Sequence, residues 1–254
     1  MIDTHTHLYV EEYDADRAEM FSRATDAGVT HFFLPNVDVD SIDRLLRTCM
    51  EHKHCYPLMG LHPTSVGKNW KQQLEKMKPY FCGEQKMWGV GEVGLDLYWD
   101  KTYLKEQCLA FDVQIQWALE YDLPLIIHVR DAFPELFQVL SPYKNTPLKG
   151  IFHSFTGTKE DAVEALAYKE FMLGINGVVT FKNSNLSCVL ESVPVERVVL
   201  ETDAPYLTPV PYRGKRNESA YLPFIAQKIA DVYHLSYDEI IAKTTQNALK
   251  VFYK

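Results

Sequence analysis

The sequence predicts an α/β fold, a closed (β/α)8 TIM barrel, from three observations. Eight short apolar runs recur along the chain, and helical patterns separate most of them. Strands that alternate with helices build right-handed βαβ units and hence a parallel sheet. A length of 254 residues is routine for eight such units closed on themselves, and no linker, repeat or low-complexity tract interrupts them, so residues 1–254 are read as one barrel domain. An open doubly wound sheet is the alternative. Its dinucleotide-binding version is disfavoured because no GxGxxG follows the first run.

The eight runs are Ile2–His7, Val29–Val37, Cys55–His62, Met87–Leu95, Leu125–Val129, Gly150–Phe155, Phe171–Thr180 and Arg197–Glu201. Their composition fits strands covered on both faces. Asp14 to Ala27 carries Ala18, Phe21 and Ala24 on one stripe and stops at Gly28, a good residue just past a helix end. Ser41 to His52 follows Asp38 and Asp40, either of which can cap it. Tyr103 to Tyr121 places Leu104, Cys108, Phe111, Ile115 and Leu119 on one face and ends before Pro124. Lys159 to Tyr168 is a short Ala-rich helix, and Ser236 with Glu239 forms a capping box opening the last helix, Tyr237 to Phe252. Ala204 to Leu222, rich in Pro, Tyr and basic residues, is too long for a tight turn and reads as an ordered loop beside the site.

Bulk properties bound the function. The chain is 46% apolar and 24% charged, enough to bury a large core without disulfides. Cys49, Cys55, Cys82, Cys108 and Cys188 are scattered and lack CxxC spacing, as expected of free thiols in a reducing cytoplasm. Site-like residues begin at His5, which leaves no room for a signal peptide, and no apolar run reaches the length of a membrane span. A net charge of −8 argues against a nucleic-acid coat protein but not against a nuclease, because bound cations reverse the field inside a cleft.

The chemistry-bearing residues are His5, His7, Glu92, His128, His153 and Asp203. Each closes an apolar run, so on a barrel they converge at the C-terminal mouth of the strands, where barrel enzymes place their sites. His5 and His7 are spaced to share one face of a strand. Glu92 stands in the apolar, Gly-rich run Gly89–Asp96. A buried carboxylate needs a partner, which an arginine, a backbone donor or a metal can supply. His128 and His153, taken singly, are ordinary hydrogen-bonded core residues, but at the ends of consecutive strands they join a ligand set. Asp203 can bind metal, act as base on a water, or both, and Asp96 can cap the segment after it or orient a ligand. Together they are expected to form a two-metal hydrolytic site with Glu92 and Asp203 in catalysis, suited to Zn, Mn or Mg.

Five segments in this order resemble the TatD family of metal-dependent deoxyribonucleases: His5-Thr6-His7, Gly91 to Asp96, Ile127 to Ala132, His153 to Gly157 and Glu201 to Pro205, with Arg213 to Glu218 as a sixth. The resemblance runs the length of the chain. It implies a barrel of the amidohydrolase superfamily with two divalent cations held by His5, His7, Glu92 as bridge, His128, His153 and Asp203. It also implies hydrolysis of DNA phosphodiester bonds, mostly from 3′ ends, with DNA (single-stranded or at 3′ ends) as the partner, no membrane, and no obligate protein partner. Three positions depart from the family pattern. Thr64 stands where a second His usually follows Gly60-Leu61-His62-Pro63, Ser219 stands where Pro usually follows Asn217-Glu218, and Leu97 replaces the first of two aromatic residues after Asp96.

Substrate contacts beyond the metals are expected from His62, Arg130, Arg213, Lys215 and Tyr98. Tyr212 to Arg216 is the most basic spot in an acidic chain, and its position after Asp203 favours phosphate binding over a merely solvated loop. Arg130 is expected to pair with Asp131 or Glu92, or to contact phosphate. Tyr98, Trp99 and Tyr206 are placed either to stack on unpaired bases or to pack the rim. Asn247, in the last helix, reads as structural. The same metals serve a hydrolase of another ester, for instance a D-aminoacyl-tRNA deacylase. A non-catalytic scaffold is disfavoured because a lapsed site has no reason to keep buried charges.

Overall fold

In a computed structural model describing residues 1–253, eight parallel strands run in sequence order around a barrel: β1 (Ile2–Asp3), β2 (His31–Pro35), β3 (Cys55–Leu58), β4 (Val90–Asp96), β5 (Leu125–Arg130), β6 (Lys149–Phe152), β7 (Glu170–Ile175) and β8 (Val198–Leu200). β1 to β3 and β4 to β8 pair continuously. The two remaining seams close by backbone hydrogen bonds outside the paired strands. Trp88 N donates to Pro57 O, Met59 N to Gly89 O and Gly91 N to Met59 O on one side, and Thr4 N to Leu200 O, Asp203 N to His5 O and His7 N to Ala204 O on the other.

Among the described residues nine helices cover the strands: α1 (Arg17–Asp26), α2 (Ile42–Glu51), α3 (Trp70–Met77), α4 (Leu104–Glu120), α5 (Phe133–Leu140), α6 (Lys159–Leu166), α7 (Leu186–Leu190), α8 (Leu222–Tyr233) and α9 (Tyr237–Phe252). The capping box at Ser236 and Glu239 is present, and Thr158 with Asp161 forms a second one at α6. Asp38, not Asp40, supports the start of α2, its carboxylate accepting from Ser41 N at 2.9 Å. Four helices were not legible in the sequence: α3, α5, α7 and α8. None of the described helices is long and apolar enough to cross a membrane, and the five cysteines are unbridged.

Several strands are shorter than their apolar runs. β1 stops at Asp3, so His5 and His7 sit on irregular backbone rather than on a strand. That backbone is pinned by Thr6 N donating to Phe33 O and His7 N donating to Ala204 O. β7 stops at Ile175 because the Asn176 side chain accepts from Val178 N at 3.1 Å and turns the chain into a 3-10 turn, Gly177–Thr180. α1 likewise starts at Arg17, after a separate 3-10 turn at Glu11–Tyr13.

Alternation along each strand sorts the side chains into two cores. One residue from each strand except β4 fills the lumen: Ile2, Phe33, Leu58, Ile126, Ile151, Met172 and Val199. The C-terminal turns of α9 close that floor with Ala248, Val251 and Phe252, whose ring stacks on Phe33 at 3.5 Å between centroids. Neighbouring residues such as Leu34, Leu125, Ile127 and Phe152 point outward into the larger core beneath the helices.

Candidate active site

Two residues beyond a lumen-filling side chain, the same face of a strand is presented again. That step converts Ile126 into His128, Ile151 into His153 and Val199 into Glu201. The polar layer at the mouth is therefore the next register of the same alternation that fills the floor.

Glu92 lies at the centre. Its Oε1 is 2.7 Å from His128 Nδ1, 3.2 Å from His62 Nε2 and 3.3 Å from His153 Nε2. Its Oε2 is 3.1 Å from His5 Nε2 and 3.5 Å from His7 Nε2. Asp203 Oδ1 adds contacts of 3.7 Å to His5 and 3.5 Å to His7. All six expected ligands thus converge, and His62 joins them rather than standing only on the substrate wall. Three overlapping sets, His5–Glu92–His153, His5–His7–Asp203 and His62–Glu92–His128, have their donor atoms within 4.8 Å of one another.

The electrostatics show how unevenly these groups share protons. Burial, then the His153 charge, drives His5 down to about 3. Burial lowers His7 as well, but the Asp203 and Glu92 carboxylates outweigh it and hold its imidazole up at about 9. Burial alone would raise Glu92, yet the imidazoles of His62, His153 and His5 keep it well below the usual carboxylate range. Asp203 is lowered in the same way, against burial, by His7, His153 and His5.

A second layer fixes these rings. Asp96 Oδ2 lies 2.9 Å from His128 Nε2, while its Oδ1 accepts from Tyr98 N and Trp99 N at 3.0 and 3.3 Å; it both orients a ring and caps the segment after it. Glu201 Oε1 accepts from Ser154 N at 2.6 Å and lies 3.0 Å from His153 Nδ1, and with Glu92 it raises His153 against burial. The Tyr9 hydroxyl sits 3.4 Å from His7 Nδ1 and donates to Pro35 O. Asp203 itself has a left-handed backbone, φ 55°, as does Ser154, φ 48°. The turn holding Asp203 is tied down by Asp3, which accepts from Thr202 N, the Thr202 hydroxyl and the Ser219 hydroxyl at 2.9, 2.6 and 2.6 Å.

Two of the departures in sequence find their reason here. Ser219 supplies one of the three donors to Asp3. The Thr64 hydroxyl lies 2.6 Å from His62 Nδ1 and Thr64 N donates to the same nitrogen at 3.1 Å, which aims His62 Nε2 at Glu92. Leu97 is simply buried. Glu201 and Asp3 were missed as site residues. The signal in sequence was faint: each is an acid two residues from a proposed ligand, in a run too apolar to leave it unpartnered.

The cluster opens into a cleft of about 620 Å³ whose walls include Arg130, Trp99 and Tyr206. Tyr98, Arg213 and Lys215 are not part of that wall. Arg130 makes no ion pair with Asp131 or Glu92 among the described residues. Its guanidinium lies 3.7 Å over the Tyr98 ring and 5.4 Å from the Trp99 ring instead. Arg213 lies 3.8 Å over Phe181 and donates to Thr208 O at 3.2 Å, and the Lys215 ammonium is 5.4 Å from the Tyr212 ring. Asn247 is structural, donating to Val195 O and Val198 O at 2.8 Å each.

The donor set fits divalent cations. His5 Nε2 and His7 Nε2 face each other at 3.2 Å, and both lie 3.1–3.7 Å from the Glu92 and Asp203 carboxylates, so imidazole and carboxylate donors converge on one space. Mixed imidazole and carboxylate donors suit borderline and hard divalent metals.

A parallel eight-stranded barrel carrying such a cluster at its C-terminal mouth defines a metal-dependent hydrolase. The family described as TatD related DNase matches residues 2–253, and the chain belongs to that family. It is 36% identical over 253 residues to the metal-dependent hydrolase YabD of Bacillus subtilis (strain 168), covering 99% of this chain and 98% of that one. It is 30% identical over 260 residues to the 3′-5′ ssDNA/RNA exonuclease TatD of Cronobacter sakazakii, covering 100% and 98%. Among solved structures, the TatD homologue YJJV from Escherichia coli K12 superposes with a TM-score of 0.93 at 27% identity, covering 99% and 97% of the two chains.

Proposed function

We propose that the protein is a 3′-5′ exonuclease that hydrolyses DNA phosphodiester bonds with two divalent cations. One observation carries this reading: the two oxygens of Glu92 face two different donor groups, His5 and His7 on one side and His62, His128 and His153 on the other. A carboxylate so placed suits a bridge between two ions. His5, His7, Glu92, His128, His153 and Asp203 would hold them, with His62 beside the second. Bound there, divalent cations acidify an attacking water and neutralise the charge that phosphate develops.

The chain's own residues supply the rest. Asp203, kept ionised by His7, His153 and His5 and lining the cleft, takes the proton of the attacking water. The water oxygen bonds to phosphorus, the bond from phosphorus to the 3′ oxygen of the retained strand breaks, and that oxygen leaves as a hydroxyl on taking a proton from solvent, while Asp203 releases its own proton to solvent. Arg130 on the wall meets the strand's phosphates, while Trp99, 69% exposed, and Tyr206, 54% exposed, offer ring faces to unpaired bases. A cleft of about 620 Å³ above a packed lumen suits a strand end rather than the middle of a duplex. The relatives named as 3′-5′ ssDNA/RNA exonucleases, at about 30% identity, support the same reading.

The test is hydrolysis of 3′-labelled single-stranded DNA beside an aminoacyl-tRNA, using chelated enzyme to which Mg²⁺, Mn²⁺ or Zn²⁺ is returned. Metal-dependent shortening of the DNA, lost in Asp203→Asn, is expected. Intact DNA with released amino acid would overturn the nuclease reading in favour of a deacylase.

A further inference from the structure

A strand whose scissile phosphate sits above the Glu92 cluster must leave the cleft in some direction, and the neighbouring cavities differ in charge. Three of them share walls with the cleft. A cavity of about 680 Å³ meets it at Val10 and is lined by Glu11, Glu12, Asp38 and Asp40 against a single Arg44. A cavity of about 260 Å³ behind Trp99 contains Asp96 and Asp100. A third, of about 360 Å³, meets the cleft at Thr156 and Val178 and has no acidic residue among its described lining. A polyanion is repelled from the first two and admitted by the third.

The third cavity also has the parts a nucleotide needs. Phe181, half-buried, offers a ring, and Asn183 and Asn185 offer amide donors and acceptors. Arg213 is held over Phe181 at 3.8 Å with one hydrogen bond, to Thr208 O, so most of its donors are free for a phosphate. Lys182 is exposed between the lining residues Phe181 and Asn183, whereas near Gly157 Lys159 is offset by Glu160 and Asp161. Its volume lies within the roughly 300–1,000 Å³ of ligand pockets.

We infer that this cavity, between the loops that follow β6 and β7, is a second subsite that receives the nucleotide adjoining the scissile phosphate, its base against Phe181 and its backbone phosphate on Arg213 and Lys182. The inference rests on the nuclease reading. It relocates Arg213 from the catalytic mouth, where the chain order suggested it, to the exit path of the strand.

The test measures inhibition constants against hydrolysis of a labelled oligothymidylate. The competitors are the methyl ester of thymidine 5′-monophosphate, which fills the cleft alone, and a thymidine dinucleotide, which spans both subsites. The dinucleotide is expected to bind roughly tenfold tighter, as one base stack and one phosphate contact warrant. That gain is expected to be lost in Phe181→Ala and in Lys182→Glu, the latter at an exposed position that folding tolerates. Equal binding of the two competitors, or a gain that survives in both variants, overturns the subsite while the nuclease reading stands. No hydrolysis of the labelled strand by wild-type enzyme with any divalent cation overturns the nuclease reading, and the subsite falls with it.

Discussion

The floor and the mouth of this barrel are built by the same strands in consecutive registers, yet they are filled in opposite ways. At the floor, Phe33, Ile126, Ile151 and Val199 pack against Phe252 with nothing to solvate. At the mouth, two residues further along, His128, His153 and Glu201 crowd with Glu92 and Asp203 into a space where each charge depends on its neighbours. The difference teaches that the apolar layer is a foundation. Rigid packing below holds imidazoles and carboxylates against one another in a buried layer, each group's charge set by its neighbours.

Breaking the mouth should affect rate far more than folding. Asp203→Asn is expected to lower kcat by roughly 10²–10⁴, with thermal unfolding and circular dichroism of a folded barrel retained. An active Asp203→Asn enzyme would remove this residue from the chemistry. Breaking the floor should do the reverse. Phe33→Ala is expected to cost about 3–5 kcal/mol in urea denaturation, while the rate per folded molecule holds. A parallel fall in that rate would mean that the two layers are coupled more tightly than the register alone implies.

Gly174 sits where the layers meet, because a Cβ there would run into the Glu201 carboxylate and Ile151. Gly174→Ala should therefore destabilise by roughly 1–3 kcal/mol and weaken metal binding through His153. Unchanged melting and metal affinity together would show that Glu201 can move aside freely. The smallest expected effect sharpens the electrostatics. His7 faces Glu92, Asp203, His5 and the Tyr9 hydroxyl, and in the metal-free protein it keeps a proton up to about 9. A ligand imidazole must be neutral, so the sign is that cation affinity rises with pH until about 9 and then levels off. Each proton displaced contributes about 1.4 kcal/mol per pH unit. Calorimetric titration in buffers of different ionisation heat counts those protons, and none released at neutral pH would contradict the assignment.

Much of this was legible in the chain, for reasons that are local. Apolar runs bounded by turn residues carry strand identity, and an acid or histidine at the end of such a run is conspicuous because burying it unpartnered is costly. The capping box at Ser236 and Glu239 was equally plain, since its two hydrogen bonds join residues three apart. The missed elements lack such marks: α7 is five residues long, and α8 opens on Leu222-Pro223 without a side-chain cap. Glu201 was hidden beside Asp203 because sequence order does not say which of two nearby acids touches a ring from another strand.

The sequence by itself determined the barrel, the convergence of His5, His7, Glu92, His128, His153 and Asp203, and the class of chemistry, because each follows from periodicity or from the cost of a buried charge along one stretch of chain. Only the tertiary structure decided that His62 joins Glu92, that Ser219 and Thr64 support Asp3 and His62, and that Arg130 stacks on Tyr98. It also decided that Arg213 lies over the Phe181 ring and not on the cleft wall. These are contacts between side chains from separate βα units. Their partners depend on how strands and loops meet across the barrel, which no one-dimensional pattern encodes.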